Sequence, residues 1–260
     1  MKIFLMAGCA AALLFFSDAA MQACREAAQV FAFSVMPSLF PMMVLGRMLP
    51  SSAGMLTVLF GWMSGSPAAT QRVMASGAKN REKLLCLTGV MNPLFFTGTL
   101  SSWLGSRETG WKLLLAHWLG AVIASALWKG ENRERQPQRM QTPSLISAIG
   151  QSASAMLSVC GAMMLFSVAA GVLQEMLPLP RAAFAVLHAL LEIGSGAKAV
   201  VSAVPEPSAL LCALCSFGGL SLWLQNLLFL DESIRPVKLL CMRALHGAVS
   251  YGVFSLISFL

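Results

Sequence analysis

The chain has 260 residues, 57% hydrophobic and only 11% charged, with a formal net charge of +7 and a mean hydropathy of +0.72. Soluble domains carry about 25% charged residues, so the composition excludes an ordinary soluble domain and leaves room for roughly six to eight membrane spans of about 20 residues. The cations sit mainly in short loops, which reads as orientation by the positive-inside rule rather than as binding to nucleic acid.

Residues 3–17 form the first apolar segment, preceded by Lys2 and followed by Asp18. This has the form of a signal peptide, but more apolar segments follow at once, so residues 1–19 read as a retained span or signal anchor. Ala7-Gly8-Cys9 has the form of a lipoprotein cleavage box, although too few residues precede it to build such a signal. Residues 20–50 are long and apolar, with Pro37 and Pro41 inside. Proline removes a backbone donor and bends a helix, which predicts a break near Pro37.

The next segment, about 54–76, is interrupted by Ser64-Gly65-Ser66-Pro67. A lipid-facing helix cannot leave the freed backbone groups unpaired. A basic loop follows, Lys79-Asn80-Arg81-Glu82-Lys83, and then spans at 84–103 and 112–128, joined around Arg107 and Glu108. Residues 129–143 are the one clearly polar linker and divide the chain near its middle. The second half repeats the order, with a long apolar segment at 144–177 and an interrupted segment at 183–203, broken at Gly194-Ser195-Gly196. Spans at 207–229 and 237–258 close the chain, joined by Asp231-Glu232-Ser233-Ile234-Arg235-Pro236.

Leu84-Leu85-Cys86 lies 126 positions before Leu210-Leu211-Cys212, and Lys112-Leu113-Leu114 lies 126 before Lys238-Leu239-Leu240. The shared offset points to an internal repeat, 20–128 and 144–260. If each interrupted segment enters the membrane and returns, each repeat makes three crossings, and an odd number inverts one half relative to the other. The expected fold is therefore an all-α polytopic membrane protein of two inverted repeats, each with a re-entrant helical hairpin. Placing the loop 77–83 and the linker 129–143 in the cytoplasm follows from their charge.

Paired interrupted segments point to a substrate site. Ser64, Gly65 and Ser66, with Gly194, Ser195 and Gly196, are expected at the two hairpin tips, where unpaired N–H groups and a positive dipole end suit an anion; close packing by small residues is the structural alternative. Glu192 is the one acid in the interrupted segments, and a carboxylate at membrane depth suggests a proton, ion or substrate role. Arg72 and Lys198 read either as substrate cations or as snorkelling side chains. Asn92, Gln225 and Asn226 are amides inside apolar spans, suited to a polar cavity or to interhelical bonds. His117, His188 and His246 stand in no motif and read as structural. The seven cysteines read as small hydrophobes, and Cys212 and Cys215 lack the second pair or histidine that a metal site needs. No hydrolase elbow, phosphate loop or catalytic carboxylate pair occurs, so no enzyme activity and no cofactor are expected.

Val35-Met36-Pro37-Ser38-Leu39-Phe40-Pro41, the Ser-Gly-Ser-Pro turn, Leu191-Glu192-Ile193-Gly194-Ser195-Gly196, and Ser216-Phe217-Gly218-Gly219-Leu220-Ser221-Leu222-Trp223-Leu224-Gln225 resemble the YlbJ-type sporulation integral membrane proteins. These belong to the nucleoside-recognition (Gate) domain group, which is similar to concentrative nucleoside transporters. The resemblance implies a secondary transporter that moves a small anion such as dipicolinate across the membrane around the forespore. Partners would be that solute and the lipid bilayer, with room for a homo-oligomer; the coupling ion, proton or sodium, stays open. A nucleoside transporter and a non-transporting scaffold of the spore envelope are the alternatives.

Overall fold

The computed structural model describes residues 2–48, 54–132 and 143–259, with side chains from residue 7 onward. Most of the polar linker, residues 133–142, lies outside the described residues. The elements among those described are all helical: α1 Lys2–Phe15, α2 Ser17–Val30, α3 Met36–Met48, α4 Met55–Ser64, α5 Ala68–Ala75, α6 Arg81–Thr88, α7 Ser101–Leu104, α8 Arg107–Leu127, α9 Leu145–Met176, α10 Arg181–Leu191, α11 Ile193–Ala203, α12 Ser208–Phe217, α13 Gly219–Leu227 and α14 Pro236–Phe259. Among the described residues five stretches are long and apolar enough to cross a membrane: Ser17–Met48, Arg107–Leu127, Leu145–Met176, Ser208–Leu227 and Pro236–Phe259. Apolar side chains also point outward, with Leu14, Phe33 and Ile146 exposed by 79%, 83% and 83%. Each costs about 1.5–3 kcal/mol in water relative to burial, a cost that lipid removes. The chain is an all-α, multi-pass membrane protein.

The first apolar segment is a separate helix of 14 residues, α1. Readings within the later segments are corrected. No break occurs at Pro37. A π-helical turn at Phe31–Val35 joins α2 to α3, and the N–H of Met36 bonds the carbonyl of Phe31. The wider turn shifts the hydrogen-bond register just ahead of the residue that lacks a donor. The span read at 84–103 is itself interrupted: α6 ends at Thr88, and helix resumes only after the open stretch 89–92, through a π-helical turn at Phe95–Leu100 into α7. The span read at 207–229 bends at Gly218, between α12 and α13.

Close packing of small residues brings the long helices together. A Cβ added to Gly120 of α8 would lie 2.0 Å from Ser250 Oγ of α14, and one added to Gly171 of α9 would lie 2.9 Å from Ala23 Cβ of α2. Between α8 and α14 the rings of His117 and His246 lie tilted against each other at 31°, with centroids 4.7 Å apart.

Buried side chains answer for the interrupted backbone. Arg243 of α14 donates from Nε to the carbonyl of Phe217 at 2.8 Å and from Nη1 to that of Gly89. It thereby closes the carbonyl ends of α12 and α6 at once, and the negative ends of two helix dipoles favour a cation there. Gly218 leaves the helix at φ +83°, where a Cβ would lie 2.2 Å from Arg243 Nη2. His117 Nε2 accepts the N–H of Met91 at 2.9 Å, and its Nδ1 lies 2.7 Å from Ser216 Oγ.

At one end of the bundle the basic loop meets the start of the linker. Asn80 Nδ2 donates to Gly130 O at 2.9 Å and to Asn132 Oδ1 at 3.0 Å, and Trp128 Nε1 donates to Glu82 at 3.0 Å. Lys238 joins Glu82 at 2.8 Å and Glu131 at 2.7 Å, while Arg81 pairs with Asp231 at 3.0 Å. These loops lie together at one end of the bundle.

Cysteines introduced at Lys79, Asn132 and Glu232 are expected to label together from the cytoplasmic face, as their basic setting requires. Labelling of any one from the opposite face contradicts the arrangement. Arg243→Met keeps the apolar stem and strips the donors from two buried carbonyls. Hydrogen bonds to charged groups contribute about 1.5–3 kcal/mol each, so thermal unfolding in detergent should show a loss of roughly 3 kcal/mol, with Arg243→Lys in between.

Candidate functional site: a small cavity at the helix breaks

The turn at Gly65-Ser66-Pro67 fits against the open stretch 89–92. Ser66 N donates to Val90 O at 2.8 Å. Gly65 sits at φ +72°, and a Cβ there would come within 2.6 Å of Asn92 N, so both conformation and space require glycine. The second half does the same: a Cβ added to Gly219 would lie 3.1–3.3 Å from Ala189 O, Ile193 N and Leu191 O, at the junction of α10 and α11.

A cavity of about 70 Å³ lies among these breaks, lined by Ser34, Val35, Ser38 and Leu39, by Ser66, Met91, Asn92 and Phe95, by Val159 and Met163, by Glu192, Ile193 and Gly194, and by Ser221, Leu222 and Gln225. It has room for a few water molecules or a small ion. Ligand pockets usually hold about 300–1,000 Å³, so a metabolite needs the cavity to widen. Among the described residues Ser66 Oγ is buried without a hydrogen-bond partner, at a cost of about 1–3 kcal/mol.

Glu192, 2% exposed, leaves the helix at φ −140°, ψ 114° and caps α11 with its own side chain. Oε1 accepts the N–H of Gly194 at 2.7 Å; Oε2 accepts the N–H and the hydroxyl of Ser195, each at 2.7 Å. This corrects the expected tip: the break falls at Glu192, and Gly194, Ser195 and Gly196 already form the first turn of α11. The positive end of that helix is occupied by an internal carboxylate rather than open to an external anion.

Ser195 Oγ also lies 3.0 Å from His188 Nε2 and 3.2 Å from Ser167 Oγ. In a hydrolase triad the acid orients the histidine, and the histidine takes the proton of the serine. Here the serine donates to the acid directly, which is not the order of that triad. Ser195 and His188 face a second, wide cavity of about 1290 Å³, whose walls also carry Asp18, Glu26, Glu175, Arg181 and Lys198.

Of the residues singled out in the sequence, Ser66, Asn92, Glu192, Gly194 and Gln225 line the inner cavity, and Ser195 and Lys198 line the outer one. Five line neither. Ser64 is fully buried and bonds Phe60 O at 2.8 Å, as a helical serine often does. Gly65 and Gly196 serve close packing; a Cβ on Gly196 would meet the backbone of Ala189 at 2.4 Å. Arg72 bonds Gly46 O at 3.1 Å and lies over the Phe60 ring, 5.2 Å from its centroid. Asn226 accepts from Thr70 and donates to Leu222 O, tying α13 to α5.

Sequence reasoning missed Ser34, Ser38, Ser221 and His188. Their signal was spacing: Ser34 with Ser38 and Ser221 with Gln225 are four apart, hence on one helix face, and His188 precedes Glu192 by four. Gln225 Nε2 indeed donates to Ser221 Oγ at 3.1 Å.

No family model, no curated protein and no solved structure matches this chain.

Glu192→Ala removes an N-cap and leaves buried donors unanswered, so it should lower stability in detergent by about 1–3 kcal/mol. Glu192→Gln, which keeps acceptor capacity through its amide oxygen, should lose less. Equal melting of wild type and the alanine variant would show that the cap contributes nothing.

Proposed function

We propose that the protein is a secondary transporter-like membrane protein of two inverted repeats, with α4–α5 and α10–α11 as re-entrant hairpins and the inner cavity as the solute site. The observation that carries this reading is the meeting of helix breaks from distant parts of the chain around a small cavity whose mainly apolar wall carries Ser66, Asn92, Glu192 and Gln225. A packing scaffold has no use for an unpartnered hydroxyl at such a place.

The repeat draws support from the same 126-residue offset. It pairs Ser66 with Glu192, Arg72 with Lys198 and His117 with Arg243. The last pair have matching duties: His117 bonds Met91 and Arg243 bonds Phe217, themselves 126 apart.

The resemblance to YlbJ-type sporulation proteins supplies the setting, the membrane around the forespore, and dipicolinate as the solute. The charge argument takes a different form from the one the sequence suggested. An anion would meet Lys198 and Arg181 in the outer cavity, in company with Asp18, Glu26 and Glu175. Selection then falls to the hydroxyl of Ser66 and the amides of Asn92 and Gln225 within.

The test is uptake of labelled dipicolinate and of uridine by proteoliposomes. Dipicolinate uptake is expected in the wild type and in Ser64→Ala, and its loss in Ser66→Leu, whose side chain fills the cavity. Wild-type rates in Ser66→Leu would remove the cavity from the pathway. Uptake of uridine alone would replace the anion with a nucleoside, and uptake of neither would favour the scaffold.

A further inference from the structure

We infer that His188, Ser195 and Glu192 form a proton path from the outer to the inner cavity, and that the ion coupled to solute movement is the proton. The inference rests on the transporter reading for its coupling, but the path stands on geometry alone.

The outer cavity touches His188 and Ser195, the inner one touches Glu192, and Ser34 lies in the wall of both. Across the partition runs an unbroken chain: His188 Nε2 to Ser195 Oγ, 3.0 Å; Ser195 Oγ to Glu192 Oε2, 2.7 Å. Its polarity follows from the inventory of protons. A serine hydroxyl has one to give, and here the carboxylate receives it. Ser195 Oγ therefore accepts from His188 Nε2–H, with Ser167 Oγ as its remaining neighbour.

The transfer balances. A hydronium ion of the outer cavity gives a proton to His188 Nδ1 and leaves as water. The Nε2 proton passes to Ser195 Oγ as the Ser195 proton passes to Glu192 Oε2. His188 ends neutral with its proton on Nδ1, Ser195 regains its hydroxyl, and Glu192 becomes a carboxylic acid. Chains of acid, hydroxyl and histidine carry protons in membrane proteins in this way.

Protonation has a structural result. The carboxylate that holds the N–H groups of Gly194 and Ser195 loses its charge, and hydrogen bonds to an ionised acceptor are about twice as strong as those to a neutral one. The first turn of α11 then has donors to offer, and Gly194 lines the inner cavity. An anion there competes with the ionised cap but not with the neutral acid. Proton and anion binding thus favour one another, and the coupling is reciprocal.

Sodium fits less well. It needs several free oxygen ligands, whereas three of about four acceptor positions on Glu192 are already filled. The charged groups around the entry are Asp18 and Glu26 from α2, Glu175 from α9, Arg181 from α10 and Lys198 from α11. The other helices packed on α10 bring only Cys212 and Cys215 of α12 and no charge from α13.

The purified full chain in lipid vesicles provides the test. Infrared difference spectra would follow the protonated-carboxyl band of Glu192, identified by its loss in Glu192→Gln, after a rapid drop in pH. His188→Gln keeps a donor to Ser195 but cannot relay a proton; Ser195→Ala breaks the chain and Ser195→Thr keeps the hydroxyl. The band should rise in the wild type and in Ser195→Thr, and rise about tenfold or more slowly in the other two. No band in the wild type, or a wild-type rate in His188→Gln, overturns the path. An inward proton gradient should also drive accumulation of dipicolinate in the wild type and not in His188→Gln. Accumulation indifferent to the gradient overturns the coupling and spares the transporter reading. With the band kinetics as expected, uptake of neither dipicolinate nor uridine overturns that reading and the coupling with it.

Discussion

Inside an apolar slab a backbone N–H or C=O released from a helix finds no water to bond, and each unanswered group costs several kcal/mol. This chain breaks its helices at Gly65–Pro67, at 89–92, at Glu192 and at Gly218, so its architecture depends on how those breaks are repaid inside the protein. They answer one another. Ser66 N bonds Val90 O, Arg243 takes the carbonyls of Gly89 and Phe217, His117 takes the N–H of Met91, and Glu192 takes those of Gly194 and Ser195. Breaks that must satisfy each other must also sit together. That requirement gathers segments from both halves of the chain around one point.

The inner cavity follows from this gathering. Where irregular backbone and small side chains replace helical packing, volume is left over, and some of the residues that repair the breaks also face it. Ser66 Oγ is left without a partner, and Asn92 is largely spent: its Oδ1 accepts from Leu94 N at 2.7 Å while Nδ2 reaches the carbonyls of Ser38 and Met63 at 3.3 Å. Glu192 has two duties, as the cap that ends α11 cleanly and as a wall of the cavity. Its protonation state therefore bears on both the local fold and the occupant, which is why a change of charge at one buried atom can be felt by a solute.

The two histidines and the arginine at the centre show how a buried polar group takes its role from its neighbours. His117 and His246 lie one above the other, with His246 Nε2 on the carbonyl of His117 at 2.9 Å, and both serve the joint between α8 and α14. Arg243 sits one turn from His246 and is tied to two helix ends. In the sequence these three were scattered polar residues in apolar spans. His188 carried no motif either, yet it stands across a helix break from Ser195, and a turn of the chain at Glu192 brought them within 3.0 Å.

By itself the sequence determined the class of the protein. Long apolar runs can end only as membrane helices, and the runs at 112–128, 144–177 and 237–258 became α8, α9 and α14 with bounds close to those read from hydropathy. The interruptions at Gly65–Pro67 and near residue 194 were legible too, because glycine, serine and proline weaken a helix locally whatever surrounds them. Tertiary structure alone decided which polar residues meet. Arg72, Lys198 and Glu192 look like one charged site along the chain, but Arg72 turned to Gly46, Lys198 to the outer cavity, and Glu192 folded back on its own helix. The breaks at 89–92 and Gly218 were hidden for the same reason: hydropathy records how apolar a segment is, and not whether a distant arginine is present to donate to its loose carbonyls.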